Sequence, residues 1–259
     1  MSLLAGKTGL VLNIANDRSI AYAIAKQCHD HGAKLGVGAL PTEKMMNRAR
    51  KAMKEGGFED AFLQGCDVTD DASVTDYFKN AHDQLGKFDF LVHSLAFADK
   101  DYLKIGRFLE TPRDVFAQAL DISAYSLLHF AREAAPYMND GASIVCLSYF
   151  GAEKAVPGYN VMGVAKSALE STARYLAYEM GERQIRVNSI SAGPVRTLSA
   201  MAVGGIDEVF EHTVNKAPLK RNIDADEVGK AAVYLVSDLA SGTTGETLYV
   251  DSGFNIVGL

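Results

Sequence analysis

A short apolar run that breaks into a tight turn and then a helix constrains this chain most. Thr8-Gly9-Leu10-Val11-Leu12 is such a run, of strand length. Asn13 to Arg18 forms the turn, and Ser19-Ile20-Ala21 opens a helix that continues to about His31. Strand, turn and helix N-terminus together receive a pyrophosphate well, because unpaired N–H groups and the positive end of the helix dipole meet there. Ser19 can cap the helix and also donate to a phosphate; a cap with no further role is the alternative. Further strands read at 33–37, 62–66, 88–92, 143–147, 186–190 and 247–250.

The fifth of these strands leads into Ser148-Tyr149-Phe150-Gly151 and on through Pro157-Gly158-Tyr159 to Gly163, Ala165 and Lys166. Pro157 predicts a helix start, since its missing N–H costs little in a first turn. Tyr159 and Lys166 are seven residues apart and so share one helix face, two turns apart. Gly163 and Ala165 leave room for something flat to approach the backbone, and Tyr149 can point into the same space. Two phenols and an ammonium around one crevice suit a reaction that builds negative charge on oxygen. Taken singly, each tyrosine also reads as a packing residue and Lys166 as a solvated one.

The 259 residues suffice for one large α/β domain with a real core. A net charge of −6 argues against nucleic acid or an anionic membrane as a partner. Cys28, Cys66 and Cys146 have no framework spacing and read as reduced core residues of a cytoplasmic protein. The N-terminus lacks a signal-peptide pattern and no apolar run approaches a membrane span. No internal repeat, linker or metal-ligand set is apparent.

The stretch 148–166 resembles the catalytic segment of the enoyl-acyl carrier protein reductases, a divergent branch of the short-chain dehydrogenase/reductase superfamily. The ordinary branch has Tyr-x-x-x-Lys. Here the residue four before Lys166 is Met162, which cannot act as an acid, and Tyr159 stands at the reductase-branch spacing. The likeness runs from Gly6 to about Ile256. It implies a single Rossmann-like α/β domain over 1–259, a doubly wound, mainly parallel sheet of about seven strands. A homotetramer sharing its fourth and fifth helices, and a mobile substrate lid around 196–215, are implied too.

The resemblance also distributes roles. Ser19, Ile20 and Ala21 replace the usual cofactor glycines. Asn13 replaces a glycine; Asn tolerates positive φ, but its side chain is expected to crowd the adenosine end. Leu40 lies where the adenosine ribose should sit, and with neither acid nor base from Gly38 to Thr42 the cofactor is expected to be NADH, Lys44 leaving NADPH open. Asp67 and Val68 are expected at the adenine edge, although Asp67 also reads as a cap for the helix near Asp70. Leu95 is expected over the nicotinamide. Val195, Arg196, Thr197, Leu198 and Ser199 are expected to cover nicotinamide and phosphates, Arg196 reading equally as a surface charge or a loop anchor. Lys166 is expected to hold the nicotinamide ribose.

For the substrate, Ala98 should meet it through backbone, with the loop 98–109 at the acyl entrance. Met201, Val203, Ile206 and Phe210 are expected to line the acyl pocket. Tyr149, Tyr159 and Lys166 are the expected catalytic set. His93 reads as a satisfied structural group and Asp121 as buried and hydrogen-bonded. A helix from Thr111-Pro112 should bury Val115, Phe116, Ala119, Leu120, Ser123, Leu127 and Leu128. The implied activity is reduction of a trans-2-enoyl thioester, on acyl carrier protein or coenzyme A, in fatty acid elongation. Met162 argues against a ketoacyl reductase. The departures leave open a nucleotide-sensing or partner-binding protein without turnover. Asp207, Glu208 and Glu211 make the lid acidic where many family members are basic, so docking of an acidic carrier should fall to Lys216, Lys220 and Arg221.

Overall fold

The computed structural model describes residues 2–198, 200–202 and 205–258. Seven strands form one sheet: β1 (Thr8–Leu12), β2 (Lys34–Ala39), β3 (Phe62–Gly65), β4 (Phe88–His93), β5 (Met138–Ser148), β6 (Arg186–Ala192) and β7 (Thr247–Val250). Their order is β3-β2-β1-β4-β5-β6-β7, and every neighbouring pair is parallel. The central strands β1 and β4 and the second half of β5 are buried on both faces and read as largely apolar runs, whereas β6 buries Arg186, Asn188, Ser189 and Ser191 and the edge strands β3 and β7 are half-buried. The helices are α1 (Ile20–Asp30), α2 (Glu43–Gly56), α3 (Asp71–Leu85), α4 (Arg113–Leu120), α5 (Ser126–Ala134), α6 (Asn160–Glu179), α7 (Ile206–Lys216) and α8 (Ala225–Val236).

Each sheet face has its own core. One packs Ile24 of α1, Met53 of α2 and Val228 of α8 on Val11, Val37 and Val145. The other packs Phe78 of α3, Phe130 of α5 and Leu169 of α6 on Leu10, Leu91 and Ile144. The strand order turns back between β1 and β4, and a crevice opens there at the carboxyl ends of the strands. No helix among the described residues is long and apolar enough to cross a membrane.

The fourth helix departs from expectation. A wide π-type turn at Asp121–Tyr125 separates α4 from α5. The turn shifts the helical phase, so Ala119, Ser123 and Leu127 are buried while Leu128 and Asp121 face solvent. Asp121 is thus exposed rather than buried. The turn has a local purpose: the Ser123 hydroxyl accepts from the Phe97 N–H at 3.0 Å and donates to the Phe97 carbonyl at 3.1 Å. It thereby grips the loop after β4.

Candidate active site

β5 and α6 carry the central residues. The helix starts at Asn160, three residues later than Pro157 suggests, because Gly158 has φ +83° and forms a turn that no helix accepts. Tyr159 is the residue before α6 and has helical dihedrals, but Asn160 at φ +45° breaks the helical phase between it and Lys166, so its placement rests on packing against Gly151 and Tyr149. Lys166 is only 5% exposed, which removes the solvated reading. Its Nζ donates to the Leu147 carbonyl at 2.6 Å and reaches the Leu95 carbonyl at 3.5 Å.

The rings of Tyr149 and Tyr159 meet edge to face, with centroids 4.8 Å apart. Gly151 permits this, since a Cβ there would stand 2.4 Å from the Tyr159 ring. The room at Gly163 is filled by protein: the Gly151 carbonyl lies 2.8 Å from where a Cβ would be. Burial pushes the Tyr149 phenol up to about 12. Burial and the neighbouring Tyr149 push Tyr159 far above the ordinary phenol range. Both phenols therefore stay protonated at neutral pH and can donate. Burial brings Lys166 down to about 8, against which the Cys146 and Glu170 side chains push up.

His93 lies beneath, fully buried, with Nε2 2.7 Å from Ser126 Oγ. Ser126 donates its own hydrogen to the Ile122 carbonyl, so Nε2–H is assigned as the donor to Ser126. Burial first, and then Lys166, hold His93 down at about 3. It is a neutral group satisfied on one side only: Nε2 meets Ser126, while Nδ1 is buried without a hydrogen-bond partner among the described residues, so the expectation of a satisfied histidine holds for half of the ring.

The crevice beside β1 encloses about 350 Å³, and its walls bring together Asn13, Leu40, Asp67, Val68 and Leu95. Asn13 has φ +73°, and its N–H donates to the Gly38 carbonyl at 2.7 Å. Its side-chain amide is turned onto the Ser94 carbonyl at 3.0 Å and so ties the β1 turn to the loop after β4. Asp67 is not the cap of α3. That role belongs to Asp70, whose side chain accepts from the Ala72 N–H, while Asp67 accepts from the Thr69 N–H and hydroxyl. Ser19 caps α1 by accepting from the Tyr22 N–H at 3.2 Å, and Ile20 opens the helix. Ala98 packs with Tyr159 in a third apolar cluster, around Met162 and Leu103.

Val195 is buried after β6 and its carbonyl accepts from the Thr197 N–H. Thr197 Oγ1 accepts from the Ala200 N–H at 3.0 Å, and Leu198 is exposed. Arg196 lies over the Phe210 ring at 4.4 Å and 3.6 Å from Asp207, so it anchors the loop to α7. Ser199, Val203 and Gly204 lie outside the described residues. Arg221 pairs in bidentate fashion with Glu227 and offers little free charge to a carrier.

A second cavity of about 540 Å³ opens beyond Tyr149. Val156, Pro194, Val209, His212 and Phe254 are among its walls. The sequence reading missed these. Val209 and His212 share a face of α7, one turn apart, and that periodicity is the signal that could have found them. Met201 is half exposed and Phe210 is buried beneath Arg196; neither lines this cavity.

A dinucleotide fits these groups. The first turn of α1 carries no acidic side chain, so its dipole is open to an anion, and the crevice at the switch point is mostly apolar. A protein-family model described as "Enoyl-(Acyl carrier protein) reductase" matches residues 14–255. The enoyl-acyl-carrier-protein reductase (NADH) of Synechocystis is 49% identical over 257 residues, covering 99% of both chains. The corresponding Rhizobium meliloti protein, number 1, is 48% identical over 99% of this chain and 93% of its own. The crystal structure of the Bacillus cereus enoyl-acyl carrier protein reductase, with NADP+ and indole naphthyridinone, matches with a TM-score of 0.96 at 45% identity over the whole of both chains. That of the Anaplasma phagocytophilum reductase in complex with NAD gives 0.92 at 44%, covering 99% and 95%. The chain belongs to the enoyl-(acyl carrier protein) reductase family.

Proposed function

We infer that this protein reduces the trans-2 double bond of an enoyl thioester borne by acyl carrier protein, with NADH as reductant, in fatty acid synthesis. The observation that carries the reading is the edge-to-face pairing of two protonated phenols, Tyr149 and Tyr159, together with a buried Lys166 whose Nζ reaches the carbonyl of Leu95, a residue of the crevice wall. When bound, the reduced nicotinamide supplies a hydride to the β-carbon. Asn13, Ser19, Ile20, Leu40, Asp67, Val68 and Leu95 would hold the dinucleotide along β1, β2 and β4, and Val195 to Ser199 would cover it.

Charge then gathers on the thioester oxygen. Tyr159 donates its phenol hydrogen bond to that oxygen and Lys166 steadies the negative charge; a proton drawn from water, relayed by the Tyr159 phenol, then adds to the α-carbon and completes the reduction. Tyr149 orients the thioester and shields it from water. Ala98 would border the substrate beside Tyr159 and the half-exposed Met201 would meet it only at the outer rim, while the cavity beyond Tyr149, which Met201 does not line, would receive acyl chain. The segment 196–215 acts as a lid of the single 1–259 domain, and Gly205, at φ +77°, gives it a hinge. Tyr125, Leu128, Tyr175 and Tyr178 leave apolar surface exposed on the helices that a homotetramer would cover. Three buried free thiols suit a reducing cytoplasm.

Tyr159→Phe tests the reading. One well-placed donor contributes about 3 kcal/mol to a transition state, so kcat should fall about a hundredfold with little change in KM. Crotonyl thioesters of coenzyme A and of carrier protein, each with NADH and NADPH, are the substrates to compare. Reduction at the parental rate by the variant would end the assignment. Cofactor binding by the parent without any enoyl-dependent oxidation would favour a nucleotide sensor instead.

A further inference from the structure

Glu170 is a buried carboxylate to which the mechanism above gives no task. It follows Lys166 by one turn of α6, on the same face, and is 6% exposed. Removing a carboxylate this far from water is costly unless its surroundings compensate. Its Oε1 accepts from the Ser148 hydroxyl at 2.5 Å, and Ser148 is itself 5% exposed.

The contacts form two adjacent rungs. Lys166 holds the Leu147 carbonyl, and one turn on, Glu170 holds Ser148. Leu147 and Ser148 end β5, and Tyr149 is the next residue. The pair of contacts therefore fixes the direction in which Tyr149 leaves the sheet.

The charges around Lys166 single out the same residue. His93 faces it from β4 and is held neutral, near 3. Cys146 faces it from β5 and is pushed up to about 11 by burial, so at pH 8 it is an uncharged thiol. The phenols of Tyr149 and Tyr159 stay protonated. Glu170 is raised by burial but is the carboxylate of the set, with Ser148 favouring its charged form. Glu153, from the loop after β5, and Arg174, further along α6, act on Glu170 with opposite signs; Tyr249 of β7 lies in the same field and donates to Glu153.

We propose that Glu170 is a positioning residue for the reduction: it holds the end of β5 through Ser148 and supplies the negative charge that keeps Lys166 an ammonium. The proposal rests on the role given to Lys166 above. Glu170→Gln keeps an oxygen that can accept from Ser148 and removes the charge. Ser148→Ala keeps the charge and removes the hydrogen bond. The full-length variants are compared by kcat/KM for a crotonyl thioester from pH 6 to 9.

In Glu170→Gln the alkaline midpoint should fall by about one unit, so its deficit against the parent becomes about fivefold greater at pH 8 than at pH 6. Ser148→Ala should lower kcat at every pH and displace the midpoint less than Glu170→Gln does, since the carboxylate remains although it loses the hydrogen bond that favours its charge. An unmoved midpoint in Glu170→Gln overturns the charge role, and parental kcat in Ser148→Ala overturns the positioning role. If Glu170→Gln does not fold, Glu170→Asp replaces it. That variant retains charge at shorter reach and should keep the midpoint with a lower kcat; a displaced midpoint would overturn the proposal. A parent inactive on enoyl thioesters fails the functional reading instead, so the two failures are distinct.

Discussion

The two walls of the reaction crevice are held by different kinds of contact. The wall of β5 and α6 is fixed by buried polar contacts and close backbone packing: Lys166 on Leu147, Glu170 on Ser148, Gly163 against Gly151. The wall of the β6 loop and α7 is joined at its surface, where an exposed Arg196 lies over the buried ring of Phe210 and pairs with an exposed Asp207. A low dielectric strengthens every contact on the first wall, whereas water and salt weaken those on the second. Groups that must meet a developing charge within a fraction of an ångström belong on the stiff wall. Groups that must admit acyl chains belong on the softer one.

The largest effect should come from the stiff wall. Lys166→Met removes the ammonium and leaves the Leu147 carbonyl without its buried donor. A loss of about a hundred- to a thousandfold in kcat/KM is expected, by the measure of other preorganised electrostatic contacts. The parental protein should show the same dependence through pH. Lys166 is charged below about 8 and neutral above it, so kcat/KM should fall as pH rises through that value. A parental profile flat from pH 7 to 9.5 would remove the charge from the mechanism and, with it, much of the contrast between the walls.

Packing on this wall supplies the next test. In Gly163→Ala the new Cβ meets the Gly151 carbonyl at 2.8 Å, and backbone cannot swing aside as a side chain can. Overpacking of this kind costs about 1–3 kcal/mol, equivalent to a drop of several degrees in Tm for a chain of this size, at about 2–4 °C per kcal/mol. Gly181→Ala is the control, because nothing lies within 4 Å of its added Cβ. Equal melting temperatures for the two variants would show that the β5–α6 contact yields more easily than its geometry implies.

The same contrast governs what the sequence disclosed. Strands buried on both faces announce themselves as apolar runs, and the sheet followed from them and the family likeness. The burial of Lys166 on α6 accords with helical periodicity, whereas Tyr159 precedes the helix and a left-handed Asn160, so its position depends on its packing against Gly151 and Tyr149. The π-type turn at Asp121 was not, since it depends on Ser123 finding the Phe97 backbone, a contact between distant segments. Gly158 did carry a legible warning that the helix could not begin at Pro157. On the softer wall, Met201 and Phe210 are apolar and fall in the segment expected to border the pocket, yet neither lines the cavity. Which face of α7 meets the cavity is set by docking of the helix, and the face that does so presents Val209 and His212.

The smallest effect should come from Arg196→Ala, and it probes the softer wall directly. The substitution removes a guanidinium stacked on a ring that is only 4% exposed, together with an ion pair to Asp207. The pair is exposed on both sides and contributes little. The stacking is worth about 0.5–1 kcal/mol at such a site, which corresponds to a two- to fivefold rise in the open population of α7. Hydrogen exchange of the amides from Ile206 to Lys216 should accelerate by that factor, while those of α6 stay unchanged. Arg196→Lys should fall between, since an ammonium keeps the charge but loses the planar contact. Because Arg196 is joined to Phe210 and Asp207 of α7, the change should appear mainly in KM for cofactor and acyl substrate, by the same small factor, with kcat changing less. Exchange in α7 as slow as in the parent would mean that this wall is held by something other than Arg196, and the division between a stiff and a soft wall would have to be redrawn.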